Sequence, residues 1–228
     1  DAVRNEKVIV LDAIRPLTLE QVADASIRGQ YSRYLEEPGV RPGSNTATFG
    51  AVRLEVDNWR WQGVPFYLRS GKAMSCRTTQ IVIGFRQPPL ELFAADNSQA
   101  QREANRLVIQ IQPAEGIQLH FHTKVPGDGM RLRLTDLEFS YSREFSGRLP
   151  EAYEPLLLDC MTGDASLFAR SDEVEKSWGI IDPFVRAWGS DTTPPIPSYR
   201  PGDWGPAASN AWMHEQGQSW FDLCPVLR

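Results

Sequence analysis

The 228-residue chain is long enough for one substantial core, and 41% hydrophobic and 23% charged residues are ordinary for a globular protein. A formal net charge of −5 argues against nucleic acid as the partner. No apolar run approaches membrane-spanning length, and the charged start is not a signal peptide.

Val3, Val10, Leu11 and Ile14 share one helical face and Pro16 supplies a stop, which predicts a helix over 2–14. Residues 18–25 predict one weak helical turn or none, 28–31 a short strand, and 35–46 a loop rich in Pro, Gly and acids. Residues 46–56 alternate, with Phe49, Val52, Leu54 and Val56 among polar neighbours. That predicts a strand of an antiparallel sheet with one face covered. Trp59 and Trp61 would share a face if the strand continued, and read as core or interface positions. Further strands are predicted over 79–85, 106–112, 116–125 and 130–141. A hairpin turns at Pro113-Ala114-Glu115, and a break of alternation near Thr135-Asp136 could mark a bulge. Residues 90–101 read as a loop with one helical turn at most.

The period then changes. Ala152, Tyr153, Leu156, Leu157, Cys160 and Met161 recur at helical spacing, with Pro155 expected to kink the helix or shift its start. Ser171 reads as an N-cap before an apolar stripe at Val174, Trp178, Ile181, Val185 and Trp188, and Pro183 as a kink. From 190 onward the chain is Pro-rich and mostly extended. Four of the seven tryptophans lie at 188 and beyond, as anchors for the C-terminal segment. Strands followed by helices, rather than alternating with them, predict α+β: a large, mostly antiparallel β-sheet with helices packed on one face, in a single domain over 1–228. The other face needs cover, and a second copy supplies it economically, so a homodimer through the sheet is expected.

Three widely spaced cysteines, Cys76, Cys160 and Cys224, fit a reducing cytosol better than a disulfide framework, and without C-x-x-C they do not suggest zinc. His120 and His122 are two apart on a strand. With no third ligand evident they read as sheet-face residues rather than a metal pair.

The most informative stretch is 63–77. Gly63 can make a tight turn, Val64-Pro65-Phe66-Tyr67-Leu68 has the length and aromatic content of a strand, and Gly71 permits a turn after it. Arg69, Lys72 and Arg77 thus cluster near a strand end, where the strand fixes position and the loop gives access. An ammonium with a guanidinium suits a phosphate monoester. On spacing alone, such charges are more often solvated surface, and no P-loop pattern is present.

Pro42-Gly43-Ser44-Asn45-Thr46-Ala47-Thr48-Phe49, followed by Asp57-Asn58-Trp59-Arg60-Trp61-Gln62-Gly63 and on to Ser70-Gly71-Lys72, resembles the C-terminal domain of glucose-6-phosphate dehydrogenase. Further stretches are similar to the same family: Arg4-Asn5-Glu6-Lys7-Val8 with Ile14-Arg15-Pro16, Leu107-Val108-Ile109-Gln110-Ile111-Gln112-Pro113, Leu149-Pro150-Glu151-Ala152-Tyr153-Glu154, Ser171-Asp172-Glu173 with Trp178, and Trp204-Gly205-Pro206.

The resemblance implies a cytoplasmic oxidoreductase. It oxidises glucose 6-phosphate to the lactone with NADP, the first step of the oxidative pentose phosphate pathway. Carried over by position, Lys72 and Arg77 would contact substrate as charge partners, and no residue of this chain would be catalytic. Arg69 matches a basic position that, in animal members, helps hold a second, structural NADP. Thr78, Val82, Gln110, Gln118 and His120 stand where those members have basic or aromatic residues, so no structural NADP is expected. The Gly-rich dinucleotide fingerprint and the H-x-D-H-Y-L-G-K segment are absent. The resemblance therefore implies a C-terminal half without its NADP-binding Rossmann domain, inactive alone. The alternative is a stand-alone sugar-phosphate-binding or assembly module.

Overall fold

The computed structural model describes residues 2–87, 104–127, 131–145, 151, 153–190 and 195–224. The expected loop over 90–101 therefore lies outside the described residues. In chain order the elements are α1 (Ala2–Asp12), α2 (Leu19–Asp24), β1 (Ser26–Tyr31), β2 (Phe49–Glu55), β3 (Pro65–Gly71), β4 (Thr79–Gly84), β5 (Arg106–Gln112), β6 (Gly116–Lys124), β7 (Leu132–Ser140), α3 (Tyr141–Glu144), α4 (Tyr153–Thr162), α5 (Ser171–Trp188), β8 (Ser198–Tyr199) and α6 (Ala207–Glu215). The α+β class with mostly antiparallel strands and helices is what the structure has. The strands form two four-stranded sheets, in two compact units: Asp1–Ser75 with Pro150–Trp220, and Cys76–Leu149 with Phe221–Arg228.

In the first unit the sheet runs β3-β2-β1-β8, antiparallel except for β8, which pairs parallel with β1. β2 is buried on both faces, not one. Phe49 and Ala51 pack with Tyr199, Trp212 and Met213, while Val52 and Leu54 pack with Val22 and Phe184. The alternation missed this because the second cover, α6 and the stretch before it, lies more than 140 residues downstream and leaves no mark on β2 itself. Gly50, the second residue of β2, has a structural reason: a Cβ there would lie 2.9 Å from the Trp188 ring, so glycine lets α5 lie close to the strand. Trp188 Nε1–H donates to Ser26 Oγ at 3.0 Å, and the buried Arg28 guanidinium donates to the Trp188 carbonyl, joining α5 to β1.

Several local expectations are corrected. α2 is a full helix of six residues, because Thr18 and Gln21 cap each other reciprocally, a Thr-x-x-Gln capping box that was present in the sequence. α5 begins at Ser171 with Arg170 as its N-cap, the Arg170 guanidinium gripping Asp172 in the first turn. The expectation for Pro155 holds in its second form: α4 starts so that Pro155 falls in its first turn, where its missing N–H costs no helical bond. Trp59 is fully exposed at 102%: the strand does not continue past Glu55, and 58–63 turns instead. Trp61 meets the Phe66 ring edge-on.

In the second unit, β4-β5-β6-β7 is an antiparallel meander. Pairing of β6 with β7 is unbroken from Gly116↔Ser140 to Lys124↔Leu132, so the bulge expected at Thr135-Asp136 is absent. The register shift occurs at Thr79/Gln80. The apolar residues of β7 simply occupy both faces. By register, Ile81, Ile83, Ile111, Ile117, Leu137 and Phe139 share one face, and each is 37–60% exposed. On the other face, Phe221 lies against His120, and the Gln80 side-chain amide donates to the Phe221 carbonyl. That C-terminal stretch brings Cys224 to Cys76, where they form a disulfide with Cα atoms 6.0 Å apart, while Cys160 stays an exposed thiol. Reading the cysteines as unpaired is thus corrected: 148 residues separate partners that the sheet brings together.

Candidate functional site

The strand expected over 64–68 is β3, and it is led in by Gly63 at φ +76°, with the Val64 N–H bonded to the Trp61 carbonyl. β3 pairs along its whole length with β2, from Glu55↔Pro65 to Phe49↔Gly71, so its end is fixed by seven residue pairs. The left-handed residue of the following turn is Ala73 at φ +49°, not Gly71. Gly71 is small for another reason: a Cβ there would lie 2.7 Å from Met74 Sδ and 3.0 Å from the Phe49 ring.

Lys72 is the first residue past the strand. Its backbone is bonded at both ends: its N–H donates to the Thr48 carbonyl at 2.8 Å, and its carbonyl accepts from the Tyr199 hydroxyl at 2.7 Å. The rest of the turn is stitched to 200–203. Gly202 N–H donates to the Ala73 carbonyl at 2.8 Å and Ser75 N–H to the Asp203 carbonyl at 3.1 Å. Thr48 and Tyr199 are buried, whereas the Lys72 side chain is exposed and, among the described residues, makes no ion pair. Burial raises the Tyr199 phenol above its ordinary pKa, so it keeps its proton to donate. A backbone bonded on both sides beneath an exposed ammonium leaves chiefly the side-chain rotamers to be ordered when an anion is met.

Of the three cations near the strand end, Arg69 is engaged elsewhere. Arg69 points along the face of the first-unit sheet that α6 covers, with its guanidinium 5.2 Å from the Trp204 ring centre and 4.5 Å from that of Trp220. Its Nη1 donates to the Trp204 carbonyl at 3.4 Å. It is a packing cation held by two indoles. Arg77 is exposed and makes no ion pair among the described residues. It belongs to the second unit, Lys72 to the first.

In the second unit, His120 Nδ1 lies 2.7 Å from Asp136 Oδ1 across the β6–β7 pair, and His122 lies opposite Leu134. Among the described residues, no group of three or more His, Cys, Asp or Glu could hold a metal ion. Thr78 Oγ1 donates to the Gln112 carbonyl, the Phe221 ring lies tilted against His120, and the Arg106 guanidinium lies over the Phe221 ring. The residues that sequence reasoning missed are Thr48 and Tyr199. Thr48 lay inside a recognised stretch, but nothing local signals that it meets a tyrosine 151 residues away.

The family model "Glucose-6-phosphate dehydrogenase, C-terminal domain" matches residues 1–221. Glucose-6-phosphate 1-dehydrogenase of Dickeya dadantii is 42% identical over 98% of this chain and 48% of its own length. The crystal structure of the enzyme from Mycobacterium avium superposes with a TM-score of 0.79 at 34% identity, over 98% of this chain and 45% of that one. A glucose-6-phosphate dehydrogenase solved in complex with its substrate glucose-6-phosphate gives 0.81 at 33% identity, over 96% and 45%. The chain spans about half the length of the relatives it matches. It belongs to the family of glucose-6-phosphate dehydrogenase C-terminal domains.

Proposed function

We propose that this chain is the substrate-gripping and pairing half of a glucose-6-phosphate 1-dehydrogenase, which oxidises D-glucose 6-phosphate to 6-phospho-D-glucono-1,5-lactone and reduces NADP. The reading is carried by the chain-wide likeness to an enzyme solved with glucose 6-phosphate. The single match of the family model across both units supports treating 1–228 as one C-terminal domain, with the Rossmann NADP-binding domain elsewhere. Hydride transfer from C1 needs a base at the C1 hydroxyl and a nicotinamide against C1, and both are assigned to that other part. NADP is the cofactor of the whole enzyme, and no structural NADP is assigned to this half.

Lys72 and Arg77 take the substrate phosphate as charge partners, without moving a proton. In the full-length enzyme, Lys72→Glu with Arg77→Glu raises the KM for glucose 6-phosphate by about a hundredfold or more, from loss of charge-assisted hydrogen bonds of roughly 1.5–3 kcal/mol each. An unchanged KM removes both residues from the site. The present chain alone, mixed with glucose 6-phosphate and NADP, gives no NADPH.

The partner for the exposed sheet face is a second copy of the chain, since isoleucine, leucine and phenylalanine in one contiguous patch suit a self-complementary interface. Leu137→Asp, placed on that face in the edge strand β7 at 60% exposure, then converts a dimer to a monomer in light scattering. A dimer that survives unchanged overturns the assignment. The compartment assigned with this activity is the cytoplasm, and no helix among the described residues is long and apolar enough to cross a membrane. The Cys76–Cys224 disulfide argues the other way, and rapid alkylation of thiols in intact cells decides between them.

A further inference from the structure

We infer that Tyr199, acting with Thr48, is a positioning residue for Lys72, and so sets how tightly the enzyme holds its phosphorylated substrate. This rests on the reading of Lys72 as a substrate contact. The inference comes from a closed set of hydrogen bonds that ties four separate parts of the first unit. Tyr31 N–H donates to Thr48 Oγ1 at 2.9 Å. Thr48 Oγ1 lies 3.2 Å from the Tyr199 hydroxyl. That hydroxyl donates to the Lys72 carbonyl at 2.7 Å, and the Lys72 N–H returns to the Thr48 carbonyl at 2.8 Å.

The Tyr199 hydroxyl has two carbonyls within reach, Lys72 O at 2.7 Å and Thr48 O at 3.2 Å, and its single proton goes to the nearer one, Lys72. The Tyr199 oxygen then accepts the Thr48 hydroxyl proton, and the Thr48 oxygen accepts from Tyr31. The result is a relay from the end of β1, through the residue before β2 and the last residue of β8, to the residue after β3. Buried hydroxyl chains of this kind strengthen one another.

The placement decides what the relay is for. Phe49, the first residue of β2, and Gly71, the last of β3, already pair at the end of the ladder, so strand register does not require the Tyr199 bond. What the bond adds is a fixed Lys72 carbonyl immediately before Ala73, whose left-handed backbone begins the turn away from the sheet. Without it, the Lys72 residue is held only through its own N–H and the Ala73 carbonyl's bond to Gly202, and the stem of the ammonium starts from a less defined place. Two buried residues thus hold the backbone of an exposed, chemically simple cation.

The test uses the full-length enzyme, with steady-state kinetics for glucose 6-phosphate and thermal unfolding of each variant. Tyr199→Phe keeps the ring in its aromatic cluster and removes only the hydroxyl. It raises KM by about three- to tenfold, the scale of one net buried hydrogen bond, and leaves kcat within about twofold. Thr48→Val does the same, and Thr48→Ser, which keeps the hydroxyl, restores the lost KM. A merely structural role lowers Tm and the fraction of active enzyme, so Vmax falls while KM stays put. That pattern overturns the inference. Lys72→Ala separates the two levels. If it raises KM and Tyr199→Phe does not, the positioning role fails while the substrate contact stands. If Lys72→Ala leaves KM unchanged, the contact itself fails and the inference falls with it.

Discussion

Replacing Gly205 by alanine measures how tightly the turn beyond β8 is built onto the first-unit core. Gly205 has φ +117°, a backbone region closed to most side chains, and a Cβ there would lie 2.4 Å from Cε2 and 2.8 Å from Cζ of Phe49. Phe49 is 2% exposed and packed with Tyr199 and Trp212, so its ring has no open side to move into. Two costs add: backbone strain of about 1–3 kcal/mol and overpacking of about 1–3 kcal/mol. Gly39 is the control, because it has φ +84° with nothing within 4 Å of an added Cβ, and so carries the strain without the clash. Gly205→Ala is expected to destabilise by about 2–6 kcal/mol and Gly39→Ala by about 1–3 kcal/mol, the difference being the contact with Phe49. Urea unfolding followed by tryptophan fluorescence reads the right part of the molecule, since Trp59, Trp61, Trp178, Trp188, Trp204, Trp212 and Trp220 all lie in the first unit. The two variants should share the wild-type m-value and differ in midpoint. Equal midpoints would refute the reasoning, because they would mean that the Phe49 ring yields freely.

Phe184→Ala removes the largest buried contact of α5, with Val22, Val52 and Leu54 around it, and should cost about 3–5 kcal/mol in the same assay; a loss under about 1 kcal/mol would show that the helix is not held by this ring. Cys76→Ser opens the link to Cys224 and should destabilise the second unit by about 2–4 kcal/mol under oxidising conditions and not at all in excess dithiol, read by hydrogen exchange of β4 to β7 amides. Equal protection of the variant and the oxidised wild type would remove the disulfide from the stability of that sheet. Acid sensitivity has a worked sign. The Arg15 guanidinium holds both oxygens of Asp57, at 3.0 and 2.7 Å, and this hydrogen bonding lowers the Asp57 pKa; Arg170 lowers that of Asp172 in the same way. A carboxylate whose folded pKa lies below its unfolded one stabilises the fold above the unfolded value, and that stabilisation is lost as pH falls through the folded one. Stability should therefore drop below about pH 4, where free aspartate titrates, and Arg15→Ala should show a smaller drop between pH 7 and pH 3 than the parent. Identical drops would mean that the exposed pair contributes nothing.

What could be read from the sequence was whatever sits within one element. The strand before Lys72 was legible because its apolar run, its leading glycine and its polar end are contiguous, and β5 and β6 were legible for the same reason. α2 should have been legible too, since Thr18 and Gln21 spell out their own cap. The single-sided cover of β2 and the unpaired cysteines were misread because both depend on the last quarter of the chain coming back: α6 and Tyr199 onto Phe49, Phe221 to Cys224 onto the second sheet. Nothing in the alternation of β2 records that its polar-looking positions, such as Gly50, meet an indole from α5.

The same distinction runs through the candidate site. Lys72 could be singled out because a cation beyond a strand is a local pattern, and Arg69 was grouped with it for the same reason. Yet the two side chains do different work: one is exposed, the other is held by Trp204 and Trp220 from 135 and more residues away. A cation becomes a ligand group or a packing group according to whether the remainder of the chain covers it, and charge spacing carries no information about cover. Backbone anchoring adds a second condition that spacing cannot supply. Lys72 is an exposed cation whose peptide is bonded on both sides to buried partners, Thr48 before β2 and Tyr199 in β8. Position in sequence nominates a binding cation; on the reading proposed above, the long-range hydrogen bonds to its own backbone would add selectivity by fixing where the side chain starts.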